Sequence, residues 1–324
     1  MTRPLVSIII PCYNAEKWVA QAIQSALDQT WPNKEVIVID DGSTDTSLQV
    51  IKSFGDKIRW ETGVNRGGCA ARNRGLELAR GNYVKFLDAD DLLASECVAR
   101  QVILSESVPS NVIVFGNSGG VIGFDNSINP VVNGAPTIEE RDDPVAYLLA
   151  NIIVTPCVLH RTEWLKAVGG FRIGLRKGQE QELHLRLALA GVKFRKEEGI
   201  VFYHRYHTAG HRISVAHSIT NDPDANYEIL RLTEEHLRKA HNDSIPSNLK
   251  LLLGRSSWSL GREMMRSGHQ EFAARCFRKA LELGPGTVVG SSLYRVVVAL
   301  FGPILAEKGF EVVKKCLRKL GFGC

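Results

Sequence analysis

Cysteine is scarce and unpatterned in this chain: seven residues in 324, at positions 12, 69, 97, 157, 276, 316 and 324, with no C-x-x-C pair. An odd and scattered set points away from a zinc ribbon or a disulfide framework, and a reducing cytosol is the expected compartment. Long apolar runs are also missing. The run Leu5 to Ile10 is stopped by Pro11 and no small-residue cleavage site follows it, so it reads as a buried strand rather than a secretory leader. The apolar segment 287–306 is broken by Arg295 and Pro303, and no spanning helix is expected. Charge of one sign is in short supply: Lys+Arg 40 against Asp+Glu 35 leaves +5, too little to coat nucleic acid, and no nucleic-acid partner is expected. With 44% hydrophobic and 23% charged residues, disorder and collagen-like repeats are excluded, and the length suits two or three units.

What is present is an alternation. Leu5–Pro11 is a β-branched run suited to a strand covered on both faces. Asn14 is positioned to cap a helix whose apolar face is Trp18, Val19, Ala22, Ile23, Ala26 and Leu27. Glu35–Asp40 reads as a second strand, followed by the DGSTD turn and a short helix to about Phe54. Lys57–Thr62 reads as a third strand, Gly67–Ala79 as a helix and Tyr83–Asp88 as a fourth strand. Strands and helices joined by short turns imply an α/β fold, with a mostly parallel sheet and helices on both faces. Ligands of such sheets bind beyond the carboxyl ends of the strands. Three polar clusters fall there: Tyr13-Asn14, Asp40-Asp41-Gly42-Ser43, and Asp88-Ala89-Asp90-Asp91.

If the chain stays extended after the fourth strand, Asp88 and Asp90 point to one side, where their repulsion calls for a cation. Hard oxygen donors suit Mg²⁺ or Mn²⁺ bridging to a phosphate. The plainer reading has Asp90 or Asp91 capping a helix over Leu92–Leu104. In DDGSTD, Gly42 makes a turn and Ser43 or Thr44 caps the next helix. That leaves the adjacent carboxylates unexplained, and one of them could accept a hydrogen bond from the ring N–H of a nucleobase.

Together VSIIIPCYNAE (6–16), SALDQTWPN (25–33), EVIVIDDGSTD (35–45), the block NRGGCAARNRGLELARGNYVKFLDADD (65–91) and the looser GQEQELHLRLALAG (178–191) resemble the family 2 glycosyltransferases. These have the GT-A fold, a Rossmann-like, mostly parallel mixed sheet. The resemblance is close over residues 4–95, looser to about 215 and absent beyond. It implies a non-processive, inverting enzyme of bacterial type, using a nucleotide-diphosphate sugar, UDP being the commonest nucleotide. Carried over by position, Pro11 and Tyr13 line the nucleoside pocket, Asp41 contacts the base, and Arg72 lies near the sugar nucleotide. Asp88 contacts the ribose or the metal, and Asp90 is a ligand to Mn²⁺ or Mg²⁺. The general base falls on Glu180, with Glu182 as the competing choice and Gln179 where the family has an acid. Periodicity does not make 179–189 a helix, because Leu183, Leu185, Leu187 and Leu189 alternate as in a strand; the helix rests on the resemblance. VFYHRYH (201–207) resembles the family's last strand, with Arg205 neutralising diphosphate or His207 completing the metal site. Gly169-Gly170-Phe171 resembles the family's turn before the acid pair, with Arg172 where an acid is common.

The implied organisation is a donor-binding half over 1–100, an acceptor-binding half over 101–220 and a helical region over 225–324, starting after Asn221-Asp222-Pro223-Asp224. Residues 251–285 resemble one tetratricopeptide repeat, read as a lone helical hairpin. The end, 287–324, carries six Lys/Arg against two Glu and is amphipathic. It suits either a helix on an anionic membrane surface, at the inner face of the cell membrane, or packing within the helical tail. The acceptor is expected to be a glycan or a lipid-linked glycan of cell-surface polysaccharide or glycoconjugate synthesis. A sugar-nucleotide pyrophosphorylase would need a G-x-G-x-R-L loop after the first strand, and a processive synthase a Q-x-x-R-W motif; neither is present. The substituted acid pair keeps open a weakly catalytic sugar-nucleotide-binding or scaffold protein.

Overall fold

The computed structural model describes residues 3–122, 127–133, 136–139, 141–206 and 216–319. The chain divides into two compact units, Met1–Leu175 with Gln179–Ala209, and Arg176–Gly178 with Gly210–Cys324. In the first, the chain runs β1 (Val6–Cys12), α1 (Val19–Leu27), β2 (Lys34–Asp40), α2 (Ser47–Lys52), β3 (Arg59–Thr62), α3 (Gly68–Leu78), β4 (Tyr83–Phe86) and β5 (Leu92–Leu93). It continues through α4 (Cys97–Ser107), β6 (Val112–Ile122), β7 (Ser127–Asn133), α5 (Pro144–Ala150), β8 (Val158–Arg161), α6 (Thr162–Ala167), α7 (Gln179–Leu189) and β9 (Lys193–Tyr206).

These strands form one nine-stranded sheet in the order β3-β2-β1-β4-β8-β6-β9-β5, with β7 on β6. Strands β3, β2, β1 and β4 are parallel, because each is reached through a helical crossover. The sheet turns mixed at β8, which runs antiparallel to both β4 and β6, while β6 and β9 are again parallel. Val6, Ile8, Ile9 and Ile10 are fully buried, as a strand covered on both faces requires, and α1 and α3 pack against this strand.

Three local expectations need correction. Helix α1 begins at Val19, not after Asn14, which has φ +49 and lies in the left-handed region Asn tolerates. Residues Leu92 and Leu93 start no helix; they pair with Phe202 and Tyr203 as the edge strand β5, and α4 starts only at Cys97. Finally, β4 stops at Phe86, and residues 88–91 form a turn closed by the Asp91 N–H on the Asp88 carbonyl at 3.0 Å. Asp88 and Asp90 therefore do not sit on an extended strand. The alternating leucines of α7 have a simple cause: Leu183, Leu185, Leu187 and His184 are all buried, so the helix is enclosed on most sides and shows no clean amphipathic period.

The second unit is helical: α8 (Pro223–Ala240), α9 (Ser247–Arg266), α10 (Gln270–Leu283) and α11 (Ser292–Lys319). Asp222 caps α8, its carboxylate accepting the Ala225 N–H. Helices α9 and α10 form a hairpin whose close approach depends on Gly261, where a Cβ would come within 2.8 Å of the Phe277 ring. Trp258 packs against Phe277 with the rings tilted and their centroids 4.7 Å apart, and Tyr294 and Val298 of α11 complete this core. α11 kinks at Gly302, ahead of Pro303. No helix among the described residues is long and apolar enough to cross a membrane.

The turn after β2 depends on Gly42, with φ +74 and a Cβ position 2.7 Å from the Asn65 backbone nitrogen. Both the left-handed backbone and the backbone contact penalise a side chain. Gly42→Ala is expected to lower unfolding stability by about 2 kcal/mol or more, read by urea denaturation. An unchanged midpoint would show that the turn relaxes freely.

Candidate active site

The strand ends that carried the polar clusters are stitched together by short hydrogen bonds. Asn14 Oδ1 accepts from the Thr44 N–H at 2.8 Å, and the Asn14 N–H donates to Ser43 Oγ at 3.0 Å. Glu16 accepts from both the N–H and the hydroxyl of Thr46. The loop after β1 thus braces the loop after β2, and the left-handed Asn14 serves this bracing instead of capping α1. Pro11 closes β1 opposite Ile39, and Tyr13 stands beyond the strand end, 45% exposed.

The adjacent carboxylates of DDGSTD have separate tasks. Asp40 is buried and closes the strand end, accepting from the Thr62 hydroxyl at 2.6 Å and the Ser43 N–H at 3.3 Å. Asp41 faces the loop before α3: its two oxygens accept the N–H groups of Arg66 and Gly67, each at 2.8 Å. A carboxylate has about four acceptor directions, so Asp41 retains capacity for a further donor.

Helix α3 carries the side chain that joins the site. The Arg72 guanidinium is buried; one nitrogen donates to Asp88 Oδ1 at 2.7 Å and the other to Gln179 Oε1 at 2.8 Å. Its planar fork lies over Phe171, 5.4 Å from the ring centroid. The Phe171 segment is fixed to the same helix, because Asn73 accepts its N–H and donates to its carbonyl, both at 2.8 Å. Arg172 is exposed beside it. One guanidinium therefore ties the end of β4 to the first residue of α7.

The Asp88–Asp91 turn is held from the other side. Asp91 is buried and accepts the Arg205 N–H at 2.9 Å, with His204 Nδ1 3.3 Å from the same carboxylate. Burial pushes its pKa up to about 6. Arg205, also buried, donates to the Asp90 carbonyl at 3.1 Å and to Gln21 at 2.6 Å, and lies 4.8 Å from the Trp18 ring centroid. Asp90 itself is half-buried. His207 lies outside the described residues. Asp91, Gln21 and Gln179 were missed as framework of the site. Asp91 had been named only in the third polar cluster and as a helix cap, and Gln179 as an amide standing where an acid is usual.

At the start of α7 the two glutamates differ. Glu182 is buried and held by Arg186 through a fork at 2.8 and 2.7 Å, while Arg186 also donates to the carbonyls of Val168 and Gly170. Glu180 is half-buried and lies within the electrostatic field of Arg72. The two glutamates thus differ: Glu182 is buried in the Arg186 fork, and Glu180 keeps exposure. Asp88 and Gln179, the neighbour of Glu180, meet at Arg72; Asp41 holds the amides of Arg66 and Gly67 ahead of α3, and the Asp90 carbonyl accepts from Arg205. Among the described residues, no group of three or more His, Cys, Asp or Glu is arranged as a metal cage.

Residues 7–169 match the profile of the family described as glycosyl transferase family 2. The chain belongs to that family. A protein of Haemophilus influenzae described as an uncharacterized glycosyltransferase is 47% identical over 106 residues, which cover 32% of this chain and only 42% of that protein. The Escherichia coli UDP-Glc:alpha-D-GlcNAc-diphosphoundecaprenol beta-1,3-glucosyltransferase WfaP is 30% identical over 205 residues, 63% of this chain and 78% of WfaP. Among solved structures, S. aureus TarS 1-349 in complex with UDP-GlcNAc superposes with a TM-score of 0.72 over 98% of this chain and 92% of that one. At 21% identity this last likeness is one of fold, and the fold is the expected GT-A sheet with a helical carboxyl-terminal region.

α7 also contains a buried titratable pair. His184 Nε2 and His160 Nε2 of β8 are 3.2 Å apart and both rings are fully buried. Burial holds both pKa values down, that of His184 to about 4, and Lys85 adds to the effect at His160. The pair folds neutral, whereas an unfolded histidine titrates near 6.5. Its contribution is therefore complete above about pH 6.5 and declines as pH falls towards 4. Urea unfolding across that window should show falling stability in the wild type and a flatter profile in His184→Leu. A pH-independent wild type would contradict the neutral buried pair.

Proposed function

We propose that this chain transfers a sugar from a nucleotide-diphosphate sugar, with UDP favoured, to a hydroxyl of a glycan or lipid-linked acceptor, inverting the anomeric centre. The Arg72 bridge between Asp88 and Gln179 carries the reading, because it joins the donor-side strand end to the residue next to Glu180, the base in this reading. The names of WfaP and TarS support UDP-sugars as donors, and that of WfaP supports a lipid-linked acceptor. Residues 1–100 take the donor and 101–220 the acceptor, in cell-surface polysaccharide or glycoconjugate synthesis. The buried free thiols of Cys12, Cys69, Cys97, Cys157 and Cys276 support a reducing, cytoplasmic setting.

In this reading Pro11 and the exposed Tyr13 ring form a wall for the nucleoside, and Asp41 accepts a base N–H with an acceptor direction its backbone partners leave open. Asp88 and Asp90 supply hard oxygen donors for Mn²⁺ or Mg²⁺. Two carboxylates fit such an ion, which ordinarily takes one or two from protein and the rest from substrate phosphates and water. When bound there, the ion supplies positive charge opposite the departing diphosphate. Arg205 adds a cation beside the Asp90 carbonyl, with His207 following it in sequence. Glu180 takes the proton from the acceptor hydroxyl as its oxygen attacks the anomeric carbon, from the side opposite the bond that breaks to release the nucleoside diphosphate. Arg72 fixes Asp88 and the start of α7, so both ends of this displacement share one reference point.

Glu180→Gln should lower kcat for sugar transfer by about 10²–10⁴-fold while the melting curve and nucleotide affinity stay unchanged. Glu182→Gln should instead lower stability, since it strips Arg186 of its fork partner. Full transfer by Glu180→Gln would remove it as the base, and nucleotide binding without turnover in the wild type would favour a binding protein. Chelation by EDTA should abolish transfer and added Mn²⁺ should restore it; Asp90→Ala should lose that restoration with its fold intact.

A further inference from the structure

Helix α11 is apolar on two sides, and only one is accounted for. Tyr294, Val298 and Ala306 are buried in the core around Trp258 and Phe277. On the outside, Leu293, Val296 and Leu300 follow one another at i, i+3 and i+7, a single stripe, and Phe301 and Leu305 extend the apolar surface across the kink. These five side chains are 54–70% exposed, a concentration a soluble surface rarely leaves uncovered. Arg295 and Lys308 are exposed on the same stretch. Residues 287–324 carry six Lys/Arg and two Glu, and one of the two, Glu307, is buried and paired with Arg262 at 2.8 Å. Glu307 therefore does not offset the exposed Arg295 and Lys308.

We propose that this face of α11 seats on an anionic phospholipid surface, with the five apolar side chains entering the headgroup boundary and the flanking cations meeting lipid phosphates. Charge decides between the occupants. A second copy would bring the same positive segment against itself, whereas an anionic bilayer complements it while accepting the apolar stripe. The helix need not span, and its apolar length is too short to do so. This surface is independent of the transfer reading, because none of its residues belongs to the compact unit that holds Arg72.

Flotation of the full chain with phosphatidylcholine vesicles, with and without phosphatidylglycerol, tests the proposal. Wild type should float with the anionic vesicles only and be released by salt, and Leu300→Glu with Phe301→Glu should reduce binding by at least about tenfold. The exposed Lys308→Glu, which leaves the helical core untouched, should weaken anionic binding in the same direction and stands in if the double variant does not fold. Failure of the wild type to float, equal flotation on neutral vesicles, or unchanged binding by both variants would overturn the proposal. So would light scattering that shows a dimer split by the same substitutions, since a second copy would then cover the face. Transfer to a soluble acceptor should stay at wild-type level in Lys308→Glu, so loss of membrane binding is separable from loss of catalysis.

Discussion

A single buried guanidinium sets the geometry of the first unit's polar edge. Arg72 cannot be left without partners in the interior, since an uncompensated buried cation costs several kcal/mol. Its planar fork accepts few alternative arrangements. Satisfying it fixes three things together: the carboxylate of Asp88 at the end of β4, the amide of Gln179 at the start of α7, and the Phe171 ring beneath it. These belong to segments about 16 and 107 residues away in sequence. Such a buried pair is weak evidence of net stability, but it is a strong constraint on which strand end meets which helix.

Around that centre the loops are ordered by backbone donors more than by side-chain pairs. Asp41 holds two amides of the loop before α3, Asp91 holds the amide of Arg205, and Asn14 holds that of Thr44. Each is a short polar residue next to a strand end, where unpaired N–H groups are most numerous. The density of Asp and Asn in these loops is therefore partly structural. Asp88 and Asp90 are the carboxylates of the turn after β4 that retain exposure.

The parallel half of the sheet was legible because β1 and most of β2 are buried and read as Val and Ile runs, with a helix between successive strands. The places that misled share a cause: a tertiary partner overrides a local signal. Asn14 looks like a helix cap, yet Thr44, thirty residues on, claims its oxygen. Leu92 and Leu93 look like the start of a helix until β9 arrives to pair with them. The leucines of α7 alternate because both sides of the helix are covered. Asp91 was read as a cap or a spare acid, and only the return of β9 shows that it receives the Arg205 amide. That Glu182 is a structural member of the helix start was likewise closed to sequence, since it shows only in the Arg186 fork.

The amide at position 179 looks at first like a lost function, and its contacts argue otherwise. An acid there would give Arg72 two carboxylate partners and cancel its charge with one to spare. Gln179 supplies the same acceptor oxygen at 2.8 Å, and its NH₂ group donates to the Leu175 carbonyl, anchoring the start of α7 to the loop before it. A carboxylate could not make that second bond. Asp88 is then the one carboxylate in the Arg72 fork. The substitution thus exchanges a charge for a hydrogen bond and leaves the orientation of α7 in place.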